Sequence, residues 1–198
     1  DAGGRQVRFW WVNHNQTWQE EIAGGYLWSP RREARSRSQF YDNMRIATRG
    51  DIVLSYSRQR LRYIGVVTDD AVSAPKPSEF GSKGAYWADE GWMLPVVWRP
   101  VPTPLSPKTL WSRLESLLPP KYSPLDRNGD GAQKAYFAEV PPDAFYILAE
   151  HCGVSALPVV DPIAPRFDAI EAELDDIVQA AVATDTNLDA TQKTQVVL

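Results

Sequence analysis

Apolar residues in this chain occur in short runs separated by turn residues, and this spacing predicts a protein built largely of β-strands. The runs are rich in branched and aromatic residues and have the length of single strands. Residues 26–30 are interpreted as a loop or a short strand. Strands are predicted at residues 7–12, 52–57, 63–68, 92–98 and 134–139.

Helices are predicted between these runs, together with two long loops. Thr17 is placed to cap a helix over residues 18–23, with Glu20 completing a capping box. Pro107 suits the first turn of another helix. The remaining helices are predicted at residues 38–44, 106–118 and 142–151, and the loops at 71–84 and 125–132.

Several short strands with a few interspersed helices indicate an α+β fold with a small curved β-sheet or barrel. We expect this domain to span residues 5–153. A proline-containing linker follows, and then an acidic amphipathic helix over about residues 166–184, so residues 154–198 form a C-terminal linker region. This helix is expected to pack on its own domain, to act as a spacer, or to form a homodimer.

The net charge of −4 conceals an uneven distribution along the chain. Residues 1–150 carry 19 basic and 17 acidic side chains, whereas residues 151–198 carry 2 basic and 8 acidic ones. Within residues 31–62, nine arginines face three acidic residues, a local excess of six positive charges. Such an excess is typical of a surface that contacts a polyanion, although a solvated face with scattered ion pairs is the alternative.

The residues needed for several kinds of chemistry are scarce. Two histidines and one cysteine provide few ligands for a metal site, and no phosphate loop, serine-hydrolase elbow or zinc-protease motif is present. Neighbouring carboxylates such as Glu20 and Glu21 are interpreted as solvated. No apolar run is long enough to predict a membrane span. We therefore expect no catalytic residue, no metal and no cofactor in this chain.

Two of the eight tryptophans differ in their surroundings from the rest. Most tryptophans in a small domain belong to its core. Trp28 and Trp87, however, stand beside small or polar residues, in segments interpreted as loops. Aromatic rings at loop tips near an arginine cluster are suited to stacking on a nucleic-acid base.

The order of several motifs resembles that of the EVE domain, a member of the PUA-like superfamily related to the YTH domain. The motifs are RFWWVN at residues 8–13, YLWSP at 26–30, RGDIVLSYS at 49–57, IGVV at 64–67 and GWMLPVV at 91–97. NGDGAQKAY at 128–136 resembles a segment of EVE-like domains that precede HNH nuclease domains. The resemblance covers about residues 7–150 and implies a PUA-like (EVE/YTH) fold.

The resemblance also implies a pocket that encloses a modified base swung out of DNA. Trp28 corresponds to the first aromatic wall and Ser29 to the polar residue after it, with Trp87 as the opposing wall. The basic residues are expected to bind phosphates. The full pocket set is Asn13, Trp28, Ser29, Tyr56, Ser57, Trp87 and Trp92. The set expected to contact the nucleic-acid backbone is Arg31, Arg32, Arg35, Arg37, Lys121, Arg127, Asn128 and Lys134.

Residues 189–198 are similar to the lead-in of an HNH domain in modification-dependent restriction endonucleases. The implied role is the non-catalytic specificity domain of such a bacterial, cytoplasmic enzyme, with a divalent metal expected only in the nuclease domain. The implied ligand is double-stranded DNA carrying 5-methylcytosine, 5-hydroxymethylcytosine or N6-methyladenine. An RNA-binding module that recognises a modified or unpaired base is the alternative, and an enzyme with an unrecognised site is the third class.

Overall fold

A computed structural model describes residues 4–160 and 177–180 of the chain. The chain divides into two compact units, residues 1–160 and residues 161–198. In the second unit, residues 177–180 are helical and exposed. The rest of the helix predicted over 166–184 lies outside the described residues, as does most of the predicted C-terminal region.

Seven strands and four helices make up the described part of the first unit. The curved, mixed sheet has the order β2-β6-β4-β3-β1-β7, with β5 paired to β6, and it forms a half-barrel. The parallel pair is β1 with β3. The elements are β1 (Phe9–Asn13), α1 (Trp18–Gly24), β2 (Tyr26–Pro30), α2 (Gln39–Ile46), β3 (Ile52–Ser57), β4 (Arg60–Val67), β5 (Val72–Pro75), β6 (Glu90–Leu105), α3 (Trp111–Leu114), β7 (Phe137–Val140) and α4 (Pro142–His151).

Strand β1 is buried on both faces, which explains its unbroken apolar sequence. Successive strand side chains point to opposite faces of a sheet. Phe9 and Trp11 accordingly join one core cluster, which also contains Phe145 of α4, while Trp10 and Val12 join a second cluster with Met44 of α2. Helices α4 and α2 therefore cover the two faces of the sheet, and β1 lies between the two clusters.

The β3–β4 hairpin has a shorter turn than the sequence predicts. A loop over residues 58–62 is predicted, whereas Ser57 pairs with Arg60 and leaves a two-residue turn. Arg58 and Gln59 both have positive φ, 48° and 63°. Two left-handed residues are the geometry of a type I′ hairpin turn, for which Asn-Gly is the usual sequence. The prediction was wrong because Arg-Gln gives no signal for this turn.

Strand β6 continues beyond the predicted end at residue 98, in spite of three prolines that follow. It runs to Leu105. Its first part, residues 91–95, pairs with β2, and the part from Val96 onward pairs with β4. Prolines normally argue against a paired strand. Thr103, between Pro102 and Pro104, has a backbone N–H that donates to the carbonyl of Cys152 at 2.9 Å, so this part of the strand is bonded outside the sheet.

Three further sequence predictions need correction. The predicted loop at 71–84 contains β5 and a 3-10 turn, Ser78–Phe80. The predicted helix at 106–118 is a 3-10 turn, Pro107–Leu110, followed by the single-turn helix α3. Strand β7 begins at Phe137, three residues after its predicted start, because residues 132–136 form turns.

The carboxylate of Asp51 fastens the start of β3 to the N-terminal segment. It accepts hydrogen bonds from Arg5 Nη1 (2.7 Å), the Trp10 indole (3.0 Å) and the backbone N–H groups of Arg8 and Thr48 (both 3.1 Å). Burial opposes ionisation of this group, but the hydrogen bonds from Arg5 and Trp10 outweigh that effect and lower the pKa of Asp51 below 3.8.

We expect Asp51→Asn to remove a pH-dependent part of the stability. A depressed pKa contributes stability that is complete above the pKa of the unfolded chain, about 3.9, and lost as the pH falls through the folded value. Urea unfolding at pH 7 and at pH 3 checks this. The loss of unfolding free energy caused by the substitution is expected to be larger at pH 7. Equal losses at both values would contradict it.

Candidate nucleic-acid interface

A cavity of about 890 Å³ opens where β1 ends. Its walls come from the turn after β1, the end of β2, α2, the loop before β6 and the turns before β7. The lining residues are Asn13, His14, Asn15, Gln16, Thr17, Pro30, Arg32, Glu33, Ala34, Tyr41, Tyr86, Trp87, Ala88, Ala132, Gln133, Lys134, Ala135 and Tyr136.

Four aromatic rings line this cavity, in two contacting pairs from separate parts of the chain. Tyr41 of α2 and Tyr136 meet edge to face with ring centroids 6.2 Å apart. Tyr86 and Trp87 do the same at 6.2 Å. Tyr86 is 83% exposed, so its ring is accessible at the mouth. Flat aromatic rings that line a cavity suit a planar ligand such as a nucleobase.

Glu21 lies beneath the cavity as a fully buried carboxylate with hydrogen-bond donors on both oxygens. Oε1 accepts from the Tyr136 hydroxyl (2.5 Å) and from the Trp28 backbone N–H (2.9 Å). Oε2 accepts from Thr17 Oγ1 (3.2 Å) and lies 2.5 Å from His14 Nδ1. The network therefore holds three segments of chain around one carboxylate, and two of them, the turn after β1 and the turns before β7, carry cavity-lining side chains.

The other contacts of this network extend it to β3 and fix protonation at Tyr136. His14 Nε2 lies 2.6 Å from Ser55 Oγ, so the imidazole is engaged at both nitrogens. Burial, together with the nearby charge and hydrogen bond of Glu21, raises the pKa of Tyr136 well above its usual value. The Tyr136 hydroxyl is therefore protonated and committed to Glu21, and its ring is the part that faces the cavity.

This network corrects two sequence predictions. Glu21, interpreted as solvated, is buried, whereas its neighbour Glu20 forms the more exposed ion pair, with Lys83 at 2.5 Å. The capping box predicted for Thr17 and Glu20 is absent: Thr17 makes no side-chain cap, because its hydroxyl donates to Glu21 instead.

Asn13 lies at the cavity wall, and its side chain is fully used within the protein. Its Oδ1 accepts from the Trp11 indole at 2.8 Å. Its Nδ2 donates to the carbonyls of Pro124 (3.0 Å) and Ala135 (2.7 Å). Asn13 thus attaches the loop before β7 to β1 and positions that cavity wall, with no amide hydrogen left over to read a base edge.

Trp28 is placed differently from the sequence prediction. It lies within β2 rather than in a loop, is 1% exposed, and its indole donates to the carbonyl of Ala74 at 3.1 Å. Its ring covers Gly91, where an added Cβ would lie 2.4 Å from the indole. Trp28 touches Trp87 at 6.3 Å between centroids and so supports the cavity wall from behind.

Four more residues of the predicted pocket also lie outside this cavity. Ser29 is buried, with its hydroxyl donating to the carbonyl of Pro30 at 3.0 Å. Ser57 is buried, and its hydroxyl has no partner within the described residues. Trp92 carries the guanidinium groups of Arg31 (4.5 Å) and Arg45 (4.8 Å). Tyr56 lines a neighbouring cavity. Asn13 and Trp87 of the predicted pocket set line this cavity, together with Arg32 and Lys134 of the predicted backbone-contact set.

The predicted cationic residues differ in whether they already form ion pairs or other contacts within the protein. Arg37 pairs with Asp42 (2.9 Å), and Lys134 pairs across the cavity rim with Glu33 (2.7 Å). Arg31 approaches Glu90 at 3.6 Å and bonds Ser73, and Lys121 lies 4.8 Å over the Tyr122 ring. Of the predicted cations, three are exposed and make neither an ion pair nor a ring contact with the residues that the structure describes: Arg32 and Arg35, beside the cavity, and Arg127, next to the exposed Asn128.

A second cavity of about 790 Å³ adjoins the first. The two share Asn13, Asn15 and Ala132 in their walls. The second cavity is further lined by Tyr56, Arg58, Gln59, Lys108, Asp130 and Gly131. Lys108 and Asp130 form an ion pair at 2.9 Å within it.

The sequence analysis missed Tyr41, Tyr86, Tyr136, His14 and Glu21 as parts of the site. Tyr136 stands at the end of the 128–136 motif, so a signal for it was present. The signal for His14 and Glu21 was weaker: a histidine stands seven residues before a carboxylate in a predicted helix. Tyr41 and Tyr86 carried none that distinguishes them from core or surface tyrosines.

Other chemistry finds little support among the described residues. In residues 4–160 and 177–180, no group of three or more His, Cys, Asp or Glu side chains is arranged to hold a metal ion. Burial raises the pKa of the Cys152 thiol to about 12, so this thiol is not a nucleophile at neutral pH. No helix in the described part of the chain has the length and apolar character needed to cross a bilayer.

Solved structures share the fold, although no protein-family model and no curated protein matches the chain. Protein Atu2648 from Agrobacterium tumefaciens is 18% identical, with a TM-score of 0.50 over 78% of this chain and all of that one. The YTH domain of Zygosaccharomyces rouxii MRB1, in complex with N6-methyladenosine RNA, is 11% identical with a TM-score of 0.47, over 79% of this chain and 93% of that one. Human THYN1, in complex with 5-methylcytosine containing DNA, is 10% identical with a TM-score of 0.44, over 77% and 100%.

The strand order and the match to the whole of Atu2648 establish the architecture of this chain. Residues 4–160 have an α+β fold of PUA-like type, with a curved mixed sheet. More narrowly, they have the EVE-like fold related to YTH domains, and both predictions from the sequence are confirmed. At such low identity the likeness shows the fold alone.

Proposed function

We propose that this chain binds DNA that carries a modified base and holds that base in the first cavity. The observation that carries the proposal is the cavity itself. Its aromatic rings, Tyr41, Tyr86, Trp87 and Tyr136, form two pairs, and unpaired cations stand at its rim. A volume of about 890 Å³ accommodates a nucleobase with its sugar.

The energetics favour a base that is already weakly stacked or that carries an added methyl group. Extruding a base from a duplex costs a few kcal/mol, and stacking on aromatic side chains contributes roughly 1–3 kcal/mol per base. A methyl group adds apolar contact to the rings without a new hydrogen-bond requirement. Modified bases are therefore expected to bind more tightly than their unmodified counterparts.

We further propose that the chain is the non-catalytic specificity domain of a modification-dependent restriction endonuclease in the bacterial cytoplasm. The support is the resemblance of residues 128–136 to EVE-like domains that precede HNH nucleases, and of residues 189–198 to the lead-in of an HNH domain. The second of these segments lies outside the described residues. Cleavage, and the divalent metal it needs, would then belong to the nuclease domain. Candidate modifications are 5-methylcytosine, 5-hydroxymethylcytosine and N6-methyladenine.

A mobility-shift titration with one duplex sequence tests the proposal. The duplex carries cytosine, 5-methylcytosine, 5-hydroxymethylcytosine or N6-methyladenine at one position, and a matched RNA series is run beside it. Tighter binding to one modified duplex is the expected result and names the ligand. Equal binding to all four duplexes would refute base reading. Tighter binding to a methylated RNA would assign the cavity to RNA instead.

The unpaired arginines beside the cavity give a separate expectation for salt dependence. Each phosphate contact contributes about −0.9 to the slope of log K against log salt for double-stranded DNA. Arg32→Gln combined with Arg35→Gln is expected to reduce the magnitude of this slope by about 2 while leaving the preference between modified and unmodified duplex intact. Titrations between 50 and 200 mM salt measure both quantities.

The matched control for this pair of substitutions is Arg99→Gln with Arg113→Gln, which replaces two exposed arginines that line neither cavity. These changes are expected to leave the slope unchanged. A slope that falls equally in both double variants would show a diffuse electrostatic attraction instead of phosphate contacts at this rim.

A further inference from the structure

The β3–β4 hairpin lies at the same edge of the sheet as the base cavity. Strands β1 and β3 are parallel, with Asn13 in register with Tyr56, so both strands end side by side. The chain that leaves β1 forms the cavity, and the chain that leaves β3 enters the turn at Arg58 and Gln59. The turn is therefore adjacent to the mouth of the cavity.

A direct contact fastens the turn to that mouth. The backbone N–H of Arg58 donates to Asn15 Oδ1 at 2.8 Å, and Asn15 lines both cavities. The Arg58 guanidinium lies 5.8 Å over the ring of Trp18 at the start of α1. Gln59 is exposed, and its side chain makes no hydrogen bond to any residue the structure describes. The tip thus presents one anchored cation and one unengaged amide.

The second cavity lies between this turn and the loop before β7. Tyr56 forms one wall, where its ring packs so closely on Gly131 that an added Cβ there would lie 2.9 Å from the ring. Because the two cavities share three lining residues, ligands in them would be immediate neighbours. A strand with one nucleotide in the first cavity would therefore have its next nucleotide beside the second.

The turn sequence is unusual for its conformation. Left-handed φ at both central positions is normally met by Asn and Gly, and here by Arg and Gln at 48° and 63°. Residues held in a sparsely populated conformation are concentrated at functional positions. The presence of two long polar side chains, where Asn and Gly would form the turn more easily, indicates that these side chains have a function at the tip.

We propose that the second cavity is a second nucleotide site, and that the Arg58–Gln59 tip enters the duplex beside it, in the space that the extruded base leaves. This inference rests on the proposed base-reading function. The cavity receives the nucleotide next to the extruded one, with the Tyr56 ring as its wall. Gln59, with a donor and an acceptor, replaces the lost pairing toward the opposite strand, and Arg58 contacts the backbone.

The test replaces the tip by the sequence that its backbone prefers, Arg58→Asn with Gln59→Gly. Because Asn-Gly suits a type I′ turn, the melting temperature is expected to be unchanged or raised. Binding to a fully paired duplex with the modified base is expected to weaken about tenfold or more, since extrusion loses its substitute contacts. Gln59→Gly alone gives a smaller loss in the same direction.

A second duplex separates this role from base recognition. It carries the same modified base opposite an abasic site, where no partner base remains to be separated. Gln59→Gly, which keeps the backbone contact of Arg58, is expected to bind this duplex within about twofold of the wild type, because little pairing has to be replaced. A loss as large as on the paired duplex, or no loss on either duplex, would overturn the inference.

Fluorescence of 2-aminopurine placed next to the modified base supplies an independent readout. Wild-type protein is expected to raise the fluorescence as the neighbour unstacks, and the tip variant at saturation is expected to raise it less. If the wild type shows no preference for the modified base in either duplex, the base-reading function itself fails. A preserved preference with unchanged fluorescence in the tip variant would refute only the second site.

Discussion

Replacing Glu21 by alanine is expected to destabilise the domain by about 3–5 kcal/mol, the usual loss when one partner of a buried charged network is removed. The substitution leaves the Tyr136 hydroxyl, the His14 imidazole and the Trp28 N–H, all buried, without their Glu21 partner. Each unsatisfied buried group carries its own desolvation cost. For a domain of this size, the melting temperature should fall by roughly 10 °C.

The neighbouring carboxylate provides the matched control for this experiment. Glu20 is partly buried and pairs with the more exposed Lys83, so Glu20→Ala is expected to cost about 1 kcal/mol, well below the loss from Glu21→Ala. Thermal unfolding followed by circular dichroism compares the two variants. Similar losses of unfolding free energy from both substitutions would show that the buried network contributes no more to stability than the partly exposed Glu20–Lys83 ion pair. Glu21→Gln retains an acceptor oxygen and should fall between wild type and Glu21→Ala.

Replacing Trp87 by alanine is expected to remove most of the preference for modified DNA. Loss of one stacking face costs roughly 1–3 kcal/mol, or about 5- to 150-fold in affinity. The ring is positioned by Gly84, where φ is 63° and an added Cβ would lie 2.0 Å from the indole. Affinity for unmodified duplex depends on the rim cations and is expected to change much less.

Two comparisons make the Trp87 result specific. Trp87→Phe keeps a stacking face and should retain most of the affinity. Tyr146→Ala removes a ring that is 55% exposed on α4 and lines neither cavity, and it should leave binding unchanged. If Trp87→Ala binds modified and unmodified duplexes in the wild-type ratio, Trp87 does not form a wall of the base site.

The fold was largely predictable because its strongest signals are local. Helix α4 and strand β3 have the predicted bounds, since each combines an apolar pattern with a clear boundary signal at its start. Strand β5 was missed because only four mostly exposed residues form it, and they gain their order from pairing with β6. The α+β class follows from the number and spacing of the strands.

The site was less predictable, because burial depends on the assembled sheet. Trp28 stands beside Ser and Pro in a manner typical of a loop, yet pairing of β2 with β6 places its ring over Gly91. Glu21 has a sequence neighbour of the same charge, and only the docking of His14 and Tyr136 distinguishes the two. Trp87 was found because its loop has no strand partner to bury it, so its local sequence decides its exposure.

The placement of β1 between β3 and β7 has a consequence for how the domain is made. Phe9 pairs with Ile52 on one side and with Val140 on the other, so completing the sheet closes a loop that spans nearly the whole domain. Contacts so distant in sequence slow folding, because the entropy of closing the loop is lost before the contacts form. A growing polypeptide therefore completes the first cavity, whose lining includes residues 132–136 next to β7, only after residue 140 has left the ribosome.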